Sequence, residues 1–135
     1  MASIRLLIQW ERFGPYHLAR LRATKAYFST YSVEVIGLET AYDDKIYDWE
    51  LERQEEDFAR YVVLPDQTRD QVSLWTLCRK IWRLLDEINP DVLCIAGFST
   101  VDVYTMLLWC RRKQRPAILM SDSKYNDRRR SFWKE

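Results

Sequence analysis

Ile4-Arg5-Leu6-Leu7-Ile8-Gln9-Trp10-Glu11-Arg12-Phe13-Gly14-Pro15-Tyr16-His17 opens the chain with a short apolar run that ends in a glycine-proline turn. An apolar segment of this length, closed by turn residues, reads as a buried β-strand over Ile4–Trp10. Pro15 suits the first position of a helix, where its missing N–H has no intrahelical partner. Leu18, Leu21 and Phe28 give a helical stripe, with the helix running from about Tyr16 through Ala26. In an open α/β sheet, ligands sit at the carboxyl edge of the strands, and this turn lies on that edge. His17, the one histidine of the chain, is part of it.

Working outward, strands and helices alternate. Val33–Leu38 reads as a second strand and Tyr61–Leu64 as a third, stopped by Pro65. The acidic stretch Thr40–Arg60 between them reads as a long loop with a helical turn or two, and long loops are functional or mobile. A helix is expected from about Arg69 to Ile88, with Val72, Trp75, Leu77, Ile81, Trp82, Leu84, Leu85 and Ile88 on its apolar face. Asn89-Pro90 ends it. Val92–Ala96 is apolar throughout, as a central parallel strand should be. Ser99-Thr100-Val101-Asp102 fits a capping box, opening a helix that buries Val103, Met106, Leu107 and Cys110. Pro116–Met120 is the fifth strand, and Asn126 or Asp127 caps a last helix carrying Phe132 and Trp133.

This alternation, without hairpin signals, predicts an α/β fold: a doubly wound parallel sheet, Rossmann-like, with helices on both faces. Right-handed crossovers make the strand order 3-2-1-4-5. The order reverses between strands one and four. Gly14–His17 and Gly97–Ser99 therefore flank one crevice, with Ser121-Asp122-Ser123 on the same edge.

With 135 residues the chain is read as a single domain over 1–135, long enough for a real core. An apolar share of 47% excludes a disordered chain, and a net charge of +1 gives no sign of a nucleic-acid partner. Acidic residues crowd positions 43–57. Lys124, Arg128, Arg129, Arg130 and Lys134 make the end basic. These are either two solvated surfaces or, at the basic end, a face for an anionic ligand or membrane headgroups. Cys78, Cys94 and Cys110 include no CxxC pair, so they are expected to be buried thiols in a reducing compartment, and no metal site is expected. The first residues lack the features of a signal peptide, and no apolar run has the length of a membrane span. A cytoplasmic location is expected. The last helix has no glycine or proline stop, and a larger protein, of which this is one half, is expected.

Each candidate site motif admits two readings. Phe13-Gly14-Pro15-Tyr16-His17 either offers helix-terminal N–H groups and a His17 hydrogen bond to a ligand, or simply makes the turn with His17 covering the helix end. It is not GxGxxG and has no Walker lysine, which argues against a nucleotide cradle. Gly97-Phe98-Ser99 either lets a ligand approach the backbone beside the Ser99 hydroxyl, or Ser99 is a plain cap. Asp122 and Ser123 either contact a hydroxyl-rich ligand or start the last helix. No Ser-His-Asp arrangement or marked acid/base pair is present, and a small enzyme acting through His17 alone is the weakest reading.

Gly14-Pro15-Tyr16-His17-Leu18-Ala19-Arg20-Leu21 resembles the first turn of family 4 glycosyltransferases of the GT-B fold. Asn89-Pro90-Asp91-Val92-Leu93 looks like the NPDVV-type lead-in to their fourth strand. Ser121-Asp122-Ser123-Lys124 through Arg128-Arg129-Arg130-Ser131-Phe132-Trp133-Lys134-Glu135 is similar to the segment after their fifth strand in a subset of bacterial members. The resemblance covers the whole chain but only the amino-terminal half of such an enzyme. It implies two Rossmann-like domains facing across a cleft. The amino-terminal one binds a sugar-containing acceptor. The carboxyl-terminal one holds the nucleotide-sugar donor with a Glu-x7-Glu pair. Transfer proceeds with retention and with no cofactor. Carried over, Gly14, Tyr16, His17, Phe98, Ser99, Asp122 and Ser123 line the acceptor side, and His17 is the one catalytic candidate. The chain departs from the pattern in lacking the donor half and in reducing the double glycine of the first loop to Gly14. Alone it is not expected to catalyse transfer. The competing expectation is a free-standing binding module, with a homodimer through the last helix covering Phe132 and Trp133.

Overall fold

A computed structural model describes residues 2–41 and 58–121. The sheet has five strands: β1 (Ile4–Trp10), β2 (Val33–Ala41), β3 (Ala59–Leu64), β4 (Val92–Ala96) and β5 (Ala117–Met120). All neighbours pair in parallel, in the order β3-β2-β1-β4-β5. This is the doubly wound, Rossmann-like topology expected from the alternating pattern. The helices are α1 (Pro15–Tyr27), α2 (Leu74–Ile88) and α3 (Val101–Lys113), with 3-10 turns at Phe28–Thr30 and Arg69–Gln71.

The apolar run of β1 works because both its faces are covered. Leu7 joins the core built with Leu77, Ile81 and Leu85 of α2 and Val103, Met106 and Trp109 of α3. Its neighbour Ile8 points the other way, into a second core with Leu18 and Leu21 of α1, Val35, Phe13 and Phe58. Successive strand residues face opposite sides, so α1 lies on one face of the sheet and α2 and α3 on the other. Trp109 is fully buried, and its indole N–H donates to Asp86 Oδ1 at 2.9 Å, tying α3 to α2. That bond and Lys113 hold the Asp86 carboxyl below its ordinary value. The three cysteines are free thiols, and burial pushes Cys110 up to about 11.

Gly37 is required by packing. A Cβ there would stand 2.9 Å from Phe13 Cε2 and 3.2 Å from Leu21 Cδ1. Phe13, the residue before the glycine-proline turn, thus sits directly on β2.

At the amino edge, Asn89 closes α2 in the left-handed region (φ 49°), and Asp91, just before β4, then ties β1 to the segment leading into β5. Its Oδ2 accepts from the Arg5 backbone N–H at 2.9 Å, and its Oδ1 pairs with Arg115 at 2.8 Å. Arg5 also donates to the Ile88 carbonyl and pairs with Glu34. The Asn89-Pro90-Asp91 segment is therefore a strand-edge fastener, at the end of the sheet away from the carboxyl edge.

Several boundaries differ from the sequence reading. The helix expected from Arg69 starts at Leu74, because Arg69–Gln71 forms a 3-10 turn and Ser73 Oγ caps α2 by accepting from the Thr76 N–H at 3.2 Å. Trp75 does not join the apolar face and is 75% exposed. At about 100° per residue it lies about 200° from the inward-facing Leu77. The box expected at Ser99–Asp102 does not form either. Thr100 is the N-cap and makes no side-chain cap bond, and Asp102 turns inward to other partners. Strand β2 runs on to Ala41. Most of the stretch expected to be an acidic loop, Asp122, Ser123, the basic end, and the expected last helix with Phe132 and Trp133 lie outside the described residues.

Candidate functional site

The sheet brings the β1–α1 turn (Glu11–Gly14) and the β4–α3 turn (Gly97–Thr100) side by side, because β1 and β4 are neighbours with Gln9 opposite Ile95. Gln9 is buried, and its Oε1 accepts from the Ala96 backbone N–H at 3.2 Å, fastening the end of β4 to β1. Of the residues singled out in the sequence, Gly14, Tyr16, His17, Phe98 and Ser99 fall on these two turns and the helix starts beside them. Asp122 and Ser123 lie outside the described residues.

His17 occupies the third position of α1 and reaches back, so that the Gly14 N–H donates to its Nδ1 at 3.1 Å. This is the job a glutamate does in a capping box. With Nδ1 accepting, the neutral imidazole carries its proton on Nε2. Burial, helped by Arg20, lowers the His17 pKa from 6.5, favouring that neutral form. The ring rests against Trp10 at 4.9 Å and meets Tyr16 edge-on at 5.8 Å, while the Arg20 guanidinium lies 4.3 Å over Tyr16. His17 therefore does cover the helix end, and its Nε2–H remains as a donor. Gly14 itself has an ordinary extended φ of −85°.

On the other wall Gly97 has φ +84°, a left-handed conformation that favours glycine. Nothing lies within 4 Å of the place a Cβ would take. Its N–H donates to the Met120 carbonyl at 2.9 Å. Phe98 is 56% exposed and Tyr16 61% exposed, so both rings stand in solvent at this edge.

Two ion networks hold the β1–α1 turn, one on each face of the sheet. On the α1 face, buried Glu39 accepts from the Phe13 N–H at 3.0 Å and pairs with Arg60 at 2.7 Å. Burial nonetheless pushes the Glu39 carboxyl above its ordinary value, against the pull of Phe13 N–H and Arg60. On the α3 face, Arg69 bridges Glu11 at 2.9 Å and Asp102 at 3.0 Å. The Thr40 hydroxyl donates to the other Asp102 oxygen at 3.2 Å. The Thr40 and Ala41 N–H groups donate to the Glu11 carbonyl. Glu39, Thr40, Arg60 and Arg69 escape a sequence reading, since their partners lie 21 to 62 positions away. Buried polar side chains are tolerated only when paired. The one signal open to sequence was the run Glu39-Thr40 continuing a strand pattern. Among the described residues, no three of His, Cys, Asp and Glu converge as a metal site, and no helix is long and apolar enough to cross a membrane.

Fold and edge together define a Rossmann-like α/β domain whose strand order reverses between β1 and β4, the topological switch point at which open α/β sheets bind ligands. No family model and no curated protein matches the sequence. Among solved structures, the chain is similar to a UDP-N-acetylglucosamine 2-epimerase, with a TM-score of 0.54 and 14% identity, over 93% of this chain and 35% of that one. The UDP-GlcNAc 2-epimerase from Neisseria meningitidis, solved bound to UDP-GlcNAc, gives 0.50 and 12%, over 87% of this chain and 31% of that one. A chain from Listeria monocytogenes assigned as the same enzyme gives 0.51 and 11%, over 90% and 31%. At these identities the likeness is one of fold, and this chain spans about a third of the length of those proteins.

Proposed function

We propose that residues 1–135 form the acceptor-side domain of a two-domain, GT-B-type enzyme. A second α/β domain carries a nucleotide-sugar, and the sugar passes to a hydroxyl of a glycan or similar acceptor with retention. The observation that carries this reading is the convergence of the two turns, Gly14–His17 and Gly97–Ser99, at the β1/β4 switch point. The fold shared with proteins named for a nucleotide-sugar substrate supports it, as does the resemblance of Gly14–Leu21 to family 4 glycosyltransferases.

In this reading Tyr16 and Phe98 offer exposed rings to the faces of a sugar. His17 Nε2–H donates to an acceptor oxygen, and Ser99 and the open side of Gly97 receive the other face. With Nδ1 already accepting from Gly14, His17 acts as a donor and not as a base. Asp122 and Ser123 extend the acceptor wall. The donor and the leaving-group chemistry belong to the other domain, so this chain alone does not turn over. A cytoplasmic setting suits the three free thiols, and the basic stretch Lys124–Lys134 is charged to suit anionic membrane headgroups.

Saturation-transfer NMR tests the division of labour. The chain is expected to transfer saturation to a neutral oligosaccharide such as maltotriose and not to UDP-glucose. Strong transfer to UDP-glucose would overturn the assignment of this domain to the acceptor.

A further inference from the structure

We propose that residues 122–135 of this chain fold back onto the α1 face of the sheet and bury Phe132 and Trp133 against β4 and β5. The inference stands apart from the acceptor-side reading. The α1 face is covered over one half only. Ile4, Leu6 and Ile8 of β1 point to it, and the pairing register puts Val92 and Cys94 of β4 and Ile118 and Met120 of β5 on the same side. Among the described residues α1 is the one α-helix on that face, and its Leu18 and Leu21 sit with Ile8, Val35 and Phe13, toward β2. Beyond Ile8 the cover ends. Ile118 is 52% and Ile4 51% exposed, and Leu6, Val92, Cys94 and Met120 are half-buried. The opposite face is closed at β4, where Leu93 and Ile95 are fully buried under α2 and α3. Parallel sheets are covered on both faces, and a contiguous apolar patch left open is a docking surface.

Chain path, reach and side-chain chemistry single out the occupant. β5 ends at Met120 on the carboxyl edge, where the Met120 carbonyl accepts from the Gly97 N–H at 2.9 Å. The 14 residues 122–135 leave from that point, beside the open face. Asn126 or Asp127 suits an N-cap, and Phe132 comes five or six residues later, about 8–9 Å along a helix axis. Strands rise about 3.3 Å per residue. That descent from the carboxyl edge brings Phe132 and Trp133 to within about one residue of Cys94 and Ile118, which pair with each other. Neighbours on a helix stand about 100° apart, so both rings reach one apolar side, while Asp127, Arg130 and Lys134 fall on the far side. Arg129 lies between the rings one turn earlier, with an apolar stem to lay on the sheet and a head to keep in water. Docking there holds Asp122 and Ser123 at the carboxyl edge beside the β4–α3 turn. It also takes Phe132 and Trp133 out of the contact between copies that their apolar surface otherwise invites.

The test uses the whole chain and has two arms. In the first, isoleucine methyls are isotope-labelled, and the ring protons of Phe132 and Trp133 are expected to give nuclear Overhauser effects to the Ile118 methyls. A mixture of labelled and unlabelled chains separates contacts within a chain from contacts between copies. Absence of these effects would overturn the proposal. So would effects seen only between copies, which would make a second chain the occupant. In the second arm, iodoacetamide labelling is followed cysteine by cysteine by mass spectrometry. Cys94 reports on the covered face, and Cys78, on α2 at the opposite face with its sulfur accepting from the Thr105 hydroxyl, is the reference. Phe132→Ala with Trp133→Ala should speed modification of Cys94 by roughly ten- to a hundredfold, the factor that burial of one large apolar side chain is worth, with Cys78 unchanged. An unaltered Cys94 rate in the folded double variant would overturn the proposal. The first arm needs no substitution and decides alone should the variant not fold.

Discussion

Replacing Gly37 by alanine should force Phe13 off its seat and disturb the first turn of the crevice from beneath. The added Cβ would lie 2.9 and 3.1 Å from Phe13 Cε2 and Cζ and 3.2 Å from Leu21 Cδ1. Phe13 and Leu21 are both fully buried, so neither ring nor methyl has slack. Overpacking of this kind costs about 1–3 kcal/mol. Because Gly37 has no positive φ, alanine recovers about 0.4–1 kcal/mol by stiffening the unfolded chain. The net expectation is a loss of about 1–2 kcal/mol, or a fall in Tm of roughly 3–8 °C for a domain of this size. Urea unfolding gives the free energy, and a double-mutant cycle gives the cause. Phe13→Leu on the Gly37→Ala background should recover at least about 0.5 kcal/mol relative to additivity. A neutral or stabilising Gly37→Ala, or strictly additive costs, would refute the claim that Phe13 is seated on β2.

Other expectations follow from the same contacts. The His17 pKa is lowered in the fold, so the unfolded chain binds the proton more readily; stability should be full above pH 6.5 and fall as pH drops through the folded value. A Tm-against-pH series should show this slope in the wild type and lose it in His17→Ala. Asp91→Ala, which strips the Arg5 N–H and Arg115 of their acceptor, should cost about 1–3 kcal/mol in urea unfolding while leaving the amide signals of Gly14 and Gly97 in place. Trp109→Ala, at a fully buried site between α2 and α3, should cost about 3–5 kcal/mol in the same assay.

Much of this architecture is written locally in the chain. Ile4–Trp10 and Val92–Ala96 are apolar without alternation because each is covered on both faces, and the structure keeps those bounds. Pro15 is indeed the first residue of α1. What local reading misses is set by distant partners. Glu39 falls past the expected end of the second strand and Thr40 opens the expected loop, but both lie in β2 and are buried, with Arg60 and Asp102 supplying the charge and hydrogen bond that make burial tolerable. Asp102 looks like a capping residue because its spacing from Ser99 is right, and only the fold brings Thr40 and Arg69 to it. Trp75 looks like core because the apolar pattern runs on through Val72. The break comes from the helical period, which sets Trp75 about 200° from Leu77, while a 3-10 turn and the Ser73 cap shift where the helix begins. The two turns of the candidate site were legible as glycine-bearing handovers from strand to helix. The ionic struts that hold the first of them were not.

The central claim is that the turns after β1 and β4 form one binding surface. A nitrogen-15 correlation spectrum recorded while maltotriose is titrated into the chain tests it most directly. The account predicts that the amides of Gly14, Tyr16, His17, Phe98 and Ser99 shift together along one binding curve, with Arg5 and Asp91 at the opposite edge unmoved. Shifts gathered at the amino edge, or on one turn without the other, would contradict it.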